Sequence, residues 1–287
     1  ELFMVLCLLI FLLCLCFPEI TGSGIKNGLT LIAGQVLPAL YPFILLTTLF
    51  KHLAGRSSKY RFLPVFIGFL SGYPLGAKTA ADFDLTPGKI RAQSLLLICN
   101  NPSPAYMISF VGLHCLKSPS LGIQMYMSIL IGNLLTGLAC IVSKKLSPLK
   151  ETFCQTQALP VTSENLLDQV IHDTFLIVLN VASCILFFSV AAAFIQKLIF
   201  LPPAIQGLFA GMLEMTTGIQ MLTAQSFTLK LKILLMTGII SFGGLSVIVQ
   251  TKSMISESSL SLKKYIAEKA IACTIAVFIM YLFIHIH

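Results

Sequence analysis

The chain has 287 residues, 56% of them hydrophobic and 10% charged, with a mean hydropathy of +0.92. Soluble domains carry about 25% charged residues, so this composition excludes an ordinary soluble globule and indicates an integral membrane protein. The formal net charge of +8 does not mark a nucleic-acid surface. The lysines and arginines sit in short connections between apolar runs, as positive-inside loops do.

The first apolar run, 2–17, ends at Pro18-Glu19. It is short beside the roughly twenty residues a span needs, so a signal peptide competes as a reading. No basic segment precedes the run and no A-x-A site follows it. The chain begins at Glu1 rather than Met. A clipped or tilted first membrane helix with a linker, together 1–27, is therefore expected, and the true N-terminus is left open. Further apolar runs follow at 28–50, 62–77, 92–116, 121–143, 174–196, 203–224, 231–251 and 265–286. A polar connection with Pro148 and Pro160 lies at 144–173. The nine cysteines form no C-x-x-C pair and no zinc-spaced cluster with histidine, and nearly all fall inside apolar runs. They read as small buried hydrophobes. His114 and His172 lie near segment ends and read as interfacial.

Two runs do not suit a simple crossing. Run 62–77 is short and glycine-rich, and 203–224 is interrupted by Glu214 and Thr216-Thr217-Gly218. If all nine runs crossed from an inside N-terminus, the nineteen basic residues would divide ten to nine. Suppose instead that these two runs enter and leave on one side. Lys51, Arg56, Lys59, Arg61, Lys78, Lys89, Arg91, Lys144, Lys145, Lys150, Lys252, Lys263, Lys264 and Lys269 then lie inside. Lys26, Lys117, Lys197, Lys230 and Lys232 lie outside, a split of fourteen to five. That asymmetry matches the positive-inside rule. The expected fold is a single all-α membrane domain, 1–287, with about seven transmembrane helices and two re-entrant segments. Span, re-entrant segment, broken span and span recur in that order in 28–143 and 174–287, around a cytoplasmic loop at 144–173. Each half crosses an odd number of times, so the second is inverted relative to the first, a secondary-transporter architecture.

Four polar interruptions occupy matching places in the two halves. Ser71-Gly-Tyr-Pro-Leu-Gly-Ala-Lys78 breaks 62–77, and Cys99-Asn-Asn-Pro-Ser-Pro-Ala-Tyr106 breaks 92–116. Gly211-Met-Leu-Glu-Met-Thr-Thr-Gly218 and Ser241-Phe-Gly-Gly-Leu-Ser-Val-Ile-Val-Gln250 are their counterparts. Broken helices at corresponding positions point to a substrate site. The candidate binding residues are Ser71, Gly72, Tyr73, Pro74, Lys78, Asn100, Asn101, Ser103, Glu214, Thr217, Gly243, Gly244, Ser246 and Gln250. Pro102 and Pro104 free backbone carbonyls, while Asn100, Asn101 and Ser103 offer donors and acceptors. The competing reading is a kinked helix whose asparagines bond a neighbour. Glu214 reads as the one acidic residue deep in a membrane segment; it either serves the site, as a ligand contact or as the carrier of a coupled proton, or pairs structurally with Lys78. Lys78 either serves the site or snorkels to the inner interface. Gly243-Gly244 either exposes backbone to a ligand or permits close helix packing. A phosphate loop is excluded at Gly76-Ala-Lys78-Thr79, because Ala77 separates glycine from lysine and the G-x-x-x-x-G-K-[ST] spacing fails. No Ser/His/Asp, H-E-x-x-H or paired-Asp set lies in the membrane, so the expectation is neither an enzyme nor a metal or cofactor protein.

These motifs in this order, from about Gly34 to Gln250 and on into the last span, resemble the YlbJ/SpoVV-type sporulation integral membrane proteins. Those belong to the nucleoside-recognition Gate-domain membrane families. The resemblance implies a transporter-like protein of endospore-forming bacteria. It would move dipicolinic acid, a small aromatic dicarboxylate, from the mother cell across the outer forespore membrane. A nucleoside-like solute is the related alternative, and a non-transporting sporulation scaffold is the rival from another class. The partners expected are the bilayer and a small solute, with a homo-oligomer left open.

Overall fold

The computed structural model describes residue 8 and residues 11–54, 63–84, 92–145, 166–198 and 201–286. Half of the first apolar run, the basic residues Arg56, Lys59, Arg61, Lys89 and Arg91, and most of the connection 144–173 lie outside the described residues. So do Cys7 and Cys154.

Every regular element among the described residues is helical. Helix α1 (Pro18–Leu31) passes through a π turn (Ile32–Val36) into α2 (Leu37–Ala54) without interruption. The expected linker before residue 28 is therefore helix. Pro18 occupies the first turn, where a missing N–H removes no helical bond. α1 lies along α7 (Leu166–Leu198) with backbones in contact: a Cβ on Gly24 would sit 2.6 Å from Val190 Cα. Leu31 and Ile32 continue the seam against Val181 and Ile185.

Two segments fold back on themselves. α3 (Leu63–Ser71) and α4 (Leu75–Asp84) are split at Gly72–Pro74, and a Cβ on Gly68 would lie 2.9 Å from Thr79 Cβ. α8 (Pro203–Leu213) and α9 (Met215–Thr223) are split at Glu214. There Gly218 lies directly on the Gly211 backbone, and Gly207 faces Leu222. These contacts are antiparallel, so each segment is a helical hairpin.

Two further helices are broken in mid-course. α5 (Ala92–Cys99) stops at Asn100, and a π-helical run (Tyr106–Cys115) resumes the path. α10 (Leu229–Phe242) and α11 (Gly244–Met254) meet at Gly243. α6 (Pro119–Lys145), α7 and α12 (Leu262–Ile286) are unbroken. Segments Pro119–Val142, Leu166–Lys197, Leu229–Met254 and Leu262–His285 are each long and apolar enough to cross a bilayer. Shorter apolar helices cover Tyr41–Phe50, Tyr106–Cys115 and Pro203–Leu213. Leu138, Phe175, Phe187 and Phe278 are exposed on the outside of the bundle, as lipid contact requires. The protein is an all-helical integral membrane protein across its described residues.

α4 runs further than the sequence suggests. Asp82 and Asp84, read as solvated loop residues, belong to its last turn. Asp84 accepts from Ser259 N–H at 2.8 Å and from its hydroxyl at 2.7 Å. Nearby, Gln93 accepts from Ser261 N–H at 2.9 Å and donates to its carbonyl at 3.2 Å. The end of α4, the start of α5 and the turn before α12 thus meet at one end of the molecule.

The interior holds two large apolar clusters. One includes Met107, Ile129, Met236, Ala276 and Met280, and the other Ala77, Leu96, Cys99, Tyr265 and Ala272. α12 feeds both from a single stripe, Tyr265, Ala272, Ala276 and Met280. Lys269 lies on that stripe between Tyr265 and Ala272, and it is 1% exposed.

Candidate functional site: two crossings of broken helices

Each hairpin tip meets the break of a neighbouring helix. In the first half, Gly72 takes φ +78°, a region L side chains rarely adopt. A Cβ there would stand 2.6 Å from both Asn101 O and Ser103 N. The close approach lets Tyr73 N–H donate to Asn101 O at 2.7 Å. Pro102 and Pro104 prevent the helix from continuing through this point. Ser103 Oγ then accepts from Tyr106 N–H at 3.2 Å and starts the next helix.

In the second half, Glu214 is extended (φ −137°, ψ 113°) and caps α9. Its Oε1 accepts from Thr216 N–H at 3.1 Å, and Oε2 accepts from Thr217 N–H at 2.7 Å and the Thr217 hydroxyl at 2.8 Å. Gly244, at φ +73°, leans on this tip: a Cβ would lie 2.9 Å from Gly211 O. A carboxylate at a helix N-terminus satisfies free N–H groups and complements the helix dipole. Glu214 is 3% exposed, and the cap supplies the partners its burial requires. Replacing it by Gln, which keeps one acceptor oxygen, is expected to cost about 1 kcal/mol, and Glu214→Ala about 2 kcal/mol. Thermal unfolding of the two variants in detergent would show that order.

The two halves are tied by side chains from the breaks. Tyr73 donates its hydroxyl to Ile240 O at 2.7 Å, one turn before the Gly243 break. Asn100 Nδ2 donates to Thr251 Oγ1 and to the Tyr265 hydroxyl oxygen, both at 2.9 Å. Tyr106 donates to Thr216 Oγ1 at 3.4 Å beside the second tip.

Lys269 occupies the layer between the two apolar clusters. Its ammonium donates to Asn100 O at 3.1 Å, Asn101 Oδ1 at 3.3 Å and Asn133 Oδ1 at 3.3 Å. It also lies 5.9 Å from the centre of the Tyr73 ring. Asn133 Nδ2 in turn donates to Asn101 Oδ1 at 2.6 Å and to Ile129 O at 2.9 Å. Asn101 Nδ2 donates to Ile98 O. No carboxylate of a described residue pairs with Lys269. Its neighbour Glu268 instead faces Lys264 at 3.6 Å.

The predicted site residues fall into separate groups. Gly72, Tyr73, Pro74, Asn100, Asn101 and Ser103 assemble at the first crossing; Glu214, Thr217, Gly243 and Gly244 assemble at the second. Ser71 is buried but bonds back to Ile67 O within α3. Ser246 and Gln250 are buried on α11 and bond each other at 3.1 Å. Lys78 stands apart. It pairs with Asp82 at 3.9 Å and lines a cleft of about 190 Å³ with Asn180, Ser253 and Glu257. The structural Lys78–Glu214 pair offered as an alternative does not form, because each group has a partner on its own hairpin. Glu214 is also not alone among buried acids: Glu268 is 5% exposed. The sequence reading missed Lys269, Asn133, Tyr265 and Thr251. A usable signal was present, since Lys269 falls on the i, i+3, i+4 stripe of α12 about 10 Å into that helix. Asn133 is a lone amide in mid-span.

No family model matches the chain, and no solved structure matches it. The chain is 24% identical over 318 aligned positions to the sporulation integral membrane protein YlbJ of Bacillus subtilis (strain 168), covering 92% of this chain and 78% of that protein. At 92% of this chain, the similarity extends beyond the four motifs. Together they support a YlbJ-type assignment for this integral membrane protein.

Proposed function

We propose that the chain is a transporter of a small solute, built from two inverted-topology repeats with seven spans and two re-entrant hairpins. The observation that carries this reading is the recurrence of one device. In each half a hairpin tip meets the break of the next helix, in the same order along the chain. Discontinuous helices at matching positions of two repeats are how secondary transporters build a midplane site. Irregular backbone at that depth is tolerated where it is packed in protein or lines a cavity.

The contacts at one end of the molecule support the topology. If 203–224 crossed the membrane, residues 78–91 and 252–264 would face opposite sides, because four other crossings separate them. Asp84 and Ser259, and Gln93 and Ser261, are hydrogen-bonded, which favours a shared side and with it a re-entrant 203–224, one of the two conditions for the fourteen-to-five division of basic residues. Similarity to a protein named for sporulation favours a cargo handled during spore formation. Dipicolinic acid, moved from the mother cell across the outer forespore membrane, is the cargo proposed.

The test is the dipicolinate content of spores from a strain lacking this protein. Content should fall close to background and return on complementation with the wild-type chain. Normal accumulation in the deletion strain would sink the cargo assignment. Uptake of uridine but not dipicolinate by proteoliposomes would move the reading to a nucleoside-like solute. Uptake of neither, with full complementation in spores by Asn100→Ala, would favour a scaffold.

A further inference from the structure

We infer that Lys269, with Asn100, Asn101 and Asn133, forms a subsite for a carboxylate on the transported solute, so that the ligand class is a compact organic anion. This inference rests on the transporter reading and names the chemistry of its site.

Four observations carry it. First, a lysine 1% exposed has no anionic partner among the described residues. Uncompensated charge at this depth is costly and marks ion or substrate paths more often than scaffolding. Second, the lysine lies where both halves meet. Asn100 and Asn101 belong to the first break, and Asn100 also reaches α11 and α12 through Thr251 and Tyr265. Third, its present partners are neutral oxygens at 3.1 to 3.3 Å, long beside the roughly 2.7–2.9 Å of charge-assisted bonds. Two of the three are exchangeable. Asn101 Oδ1 already accepts from Asn133 at 2.6 Å, and the amides would keep that bond if the ammonium turned to a ligand. Fourth, Asn100 Oδ1 is buried with no hydrogen-bond partner. A layer with a cation lacking an anion is completed by a molecule bearing a carboxylate, and the open Asn100 acceptor is available to any donor such a solute carries.

The geometry also decides between solute classes. A neutral nucleoside would leave the ammonium as it is, whereas a carboxylate neutralises it in a site already buried. Lys78, the cation favoured by sequence, cannot fill the role from its cleft beside Asp82.

The experiment uses the full chain in lipid nanodiscs and measures binding of three probes: dipicolinate, its neutral diamide and uridine. Wild type should bind dipicolinate and neither neutral probe. Lys269→Gln should weaken dipicolinate by about thirtyfold or more, the scale of removing one partner of a buried charged contact. Asn133→Asp is the second variant. It sets a carboxylate beside the ammonium and gives up the amide's bonds to Asn101 and Ile129, so it is scored only where thermal unfolding shows a folded protein, and there it should displace the bound anion. Dipicolinate affinity unchanged in folded Lys269→Gln or Asn133→Asp would overturn the subsite while leaving the transporter reading intact. Equal binding of the diamide, or no dipicolinate binding by wild type, would overturn the anion class. The spore measurement decides the transporter reading separately.

Discussion

Replacing Gly76 by Ala is expected to destabilise the folded protein severely. The added Cβ would land on the carbonyl of Cys99 and within 2.8 Å of Asn100 Cα. Both obstacles are backbone, so no side chain can swing aside. α4 would have to leave the break in α5, and the Tyr73–Asn101 backbone bond would go with it. Overpacking a tight core costs about 1–3 kcal/mol, and losing a buried hydrogen-bonded contact adds about 1–3 kcal/mol. Gly238→Ala is the matched control. Its Cβ would meet only Val277 Cγ2 at an ordinary 3.5 Å, so the better helix former should stabilise α10 by roughly 0.4–1 kcal/mol. A thiol-reactive dye reading the release of buried Cys99 and Cys115 during heating would place the two variants on opposite sides of wild type. Equal melting of Gly76→Ala and wild type would show that the crossing is not closely packed.

Asn101→Ala should be the most damaging change among the polar residues, by about 3 kcal/mol, the scale of stripping a partner from a buried charge. Asn101 Oδ1 receives both the Lys269 ammonium and the Asn133 amide, and its own amide holds Ile98 O across the end of α5. Removing it leaves a buried charge with two acceptors instead of three. The effect should be strongly coupled to Lys269. In a double-mutant cycle with Lys269→Met, which removes the charge, the loss from Asn101→Ala should shrink by more than 1 kcal/mol. Additive losses would show that Asn101 acts through its contact with Ile98 alone.

The legible part of the site was the part written in backbone chemistry. Pro102, Pro104 and the glycines at 72, 243 and 244 weaken helix where they cluster with polar residues in an apolar run, so the breaks could be named from local residue types, although Pro42, Gly132 and Gly137 sit inside intact helices. That Glu214 would cap its own helix was not legible, since helix-start patterns favour Ser, Thr, Asp or Asn at the cap and Glu is not among them. It reads instead as a site residue or a partner for Lys78, because the apolar run around it hides the fact that one helix ends and another begins there. Lys269 was counted among the inner-side basic residues. A charge two turns inside an apolar segment looks interfacial until the rotation of that helix is known.

By itself, the sequence determined that this chain lives in a membrane, that its apolar segments are interrupted four times, and that the interruptions match between halves. Those properties follow from local residue types, and lipid penalises unsatisfied backbone wherever it lies. The tertiary structure alone decided which cation meets which amides. Lys78 and Lys269 differ little in local context. One turns toward Asp82 and a polar cleft, and the other toward Asn100, Asn101 and Asn133. That choice depends on how α4 and α12 are rotated by packing against α5, α6 and α11. Contacts between residues more than a hundred positions apart set those rotations, and no local pattern records them.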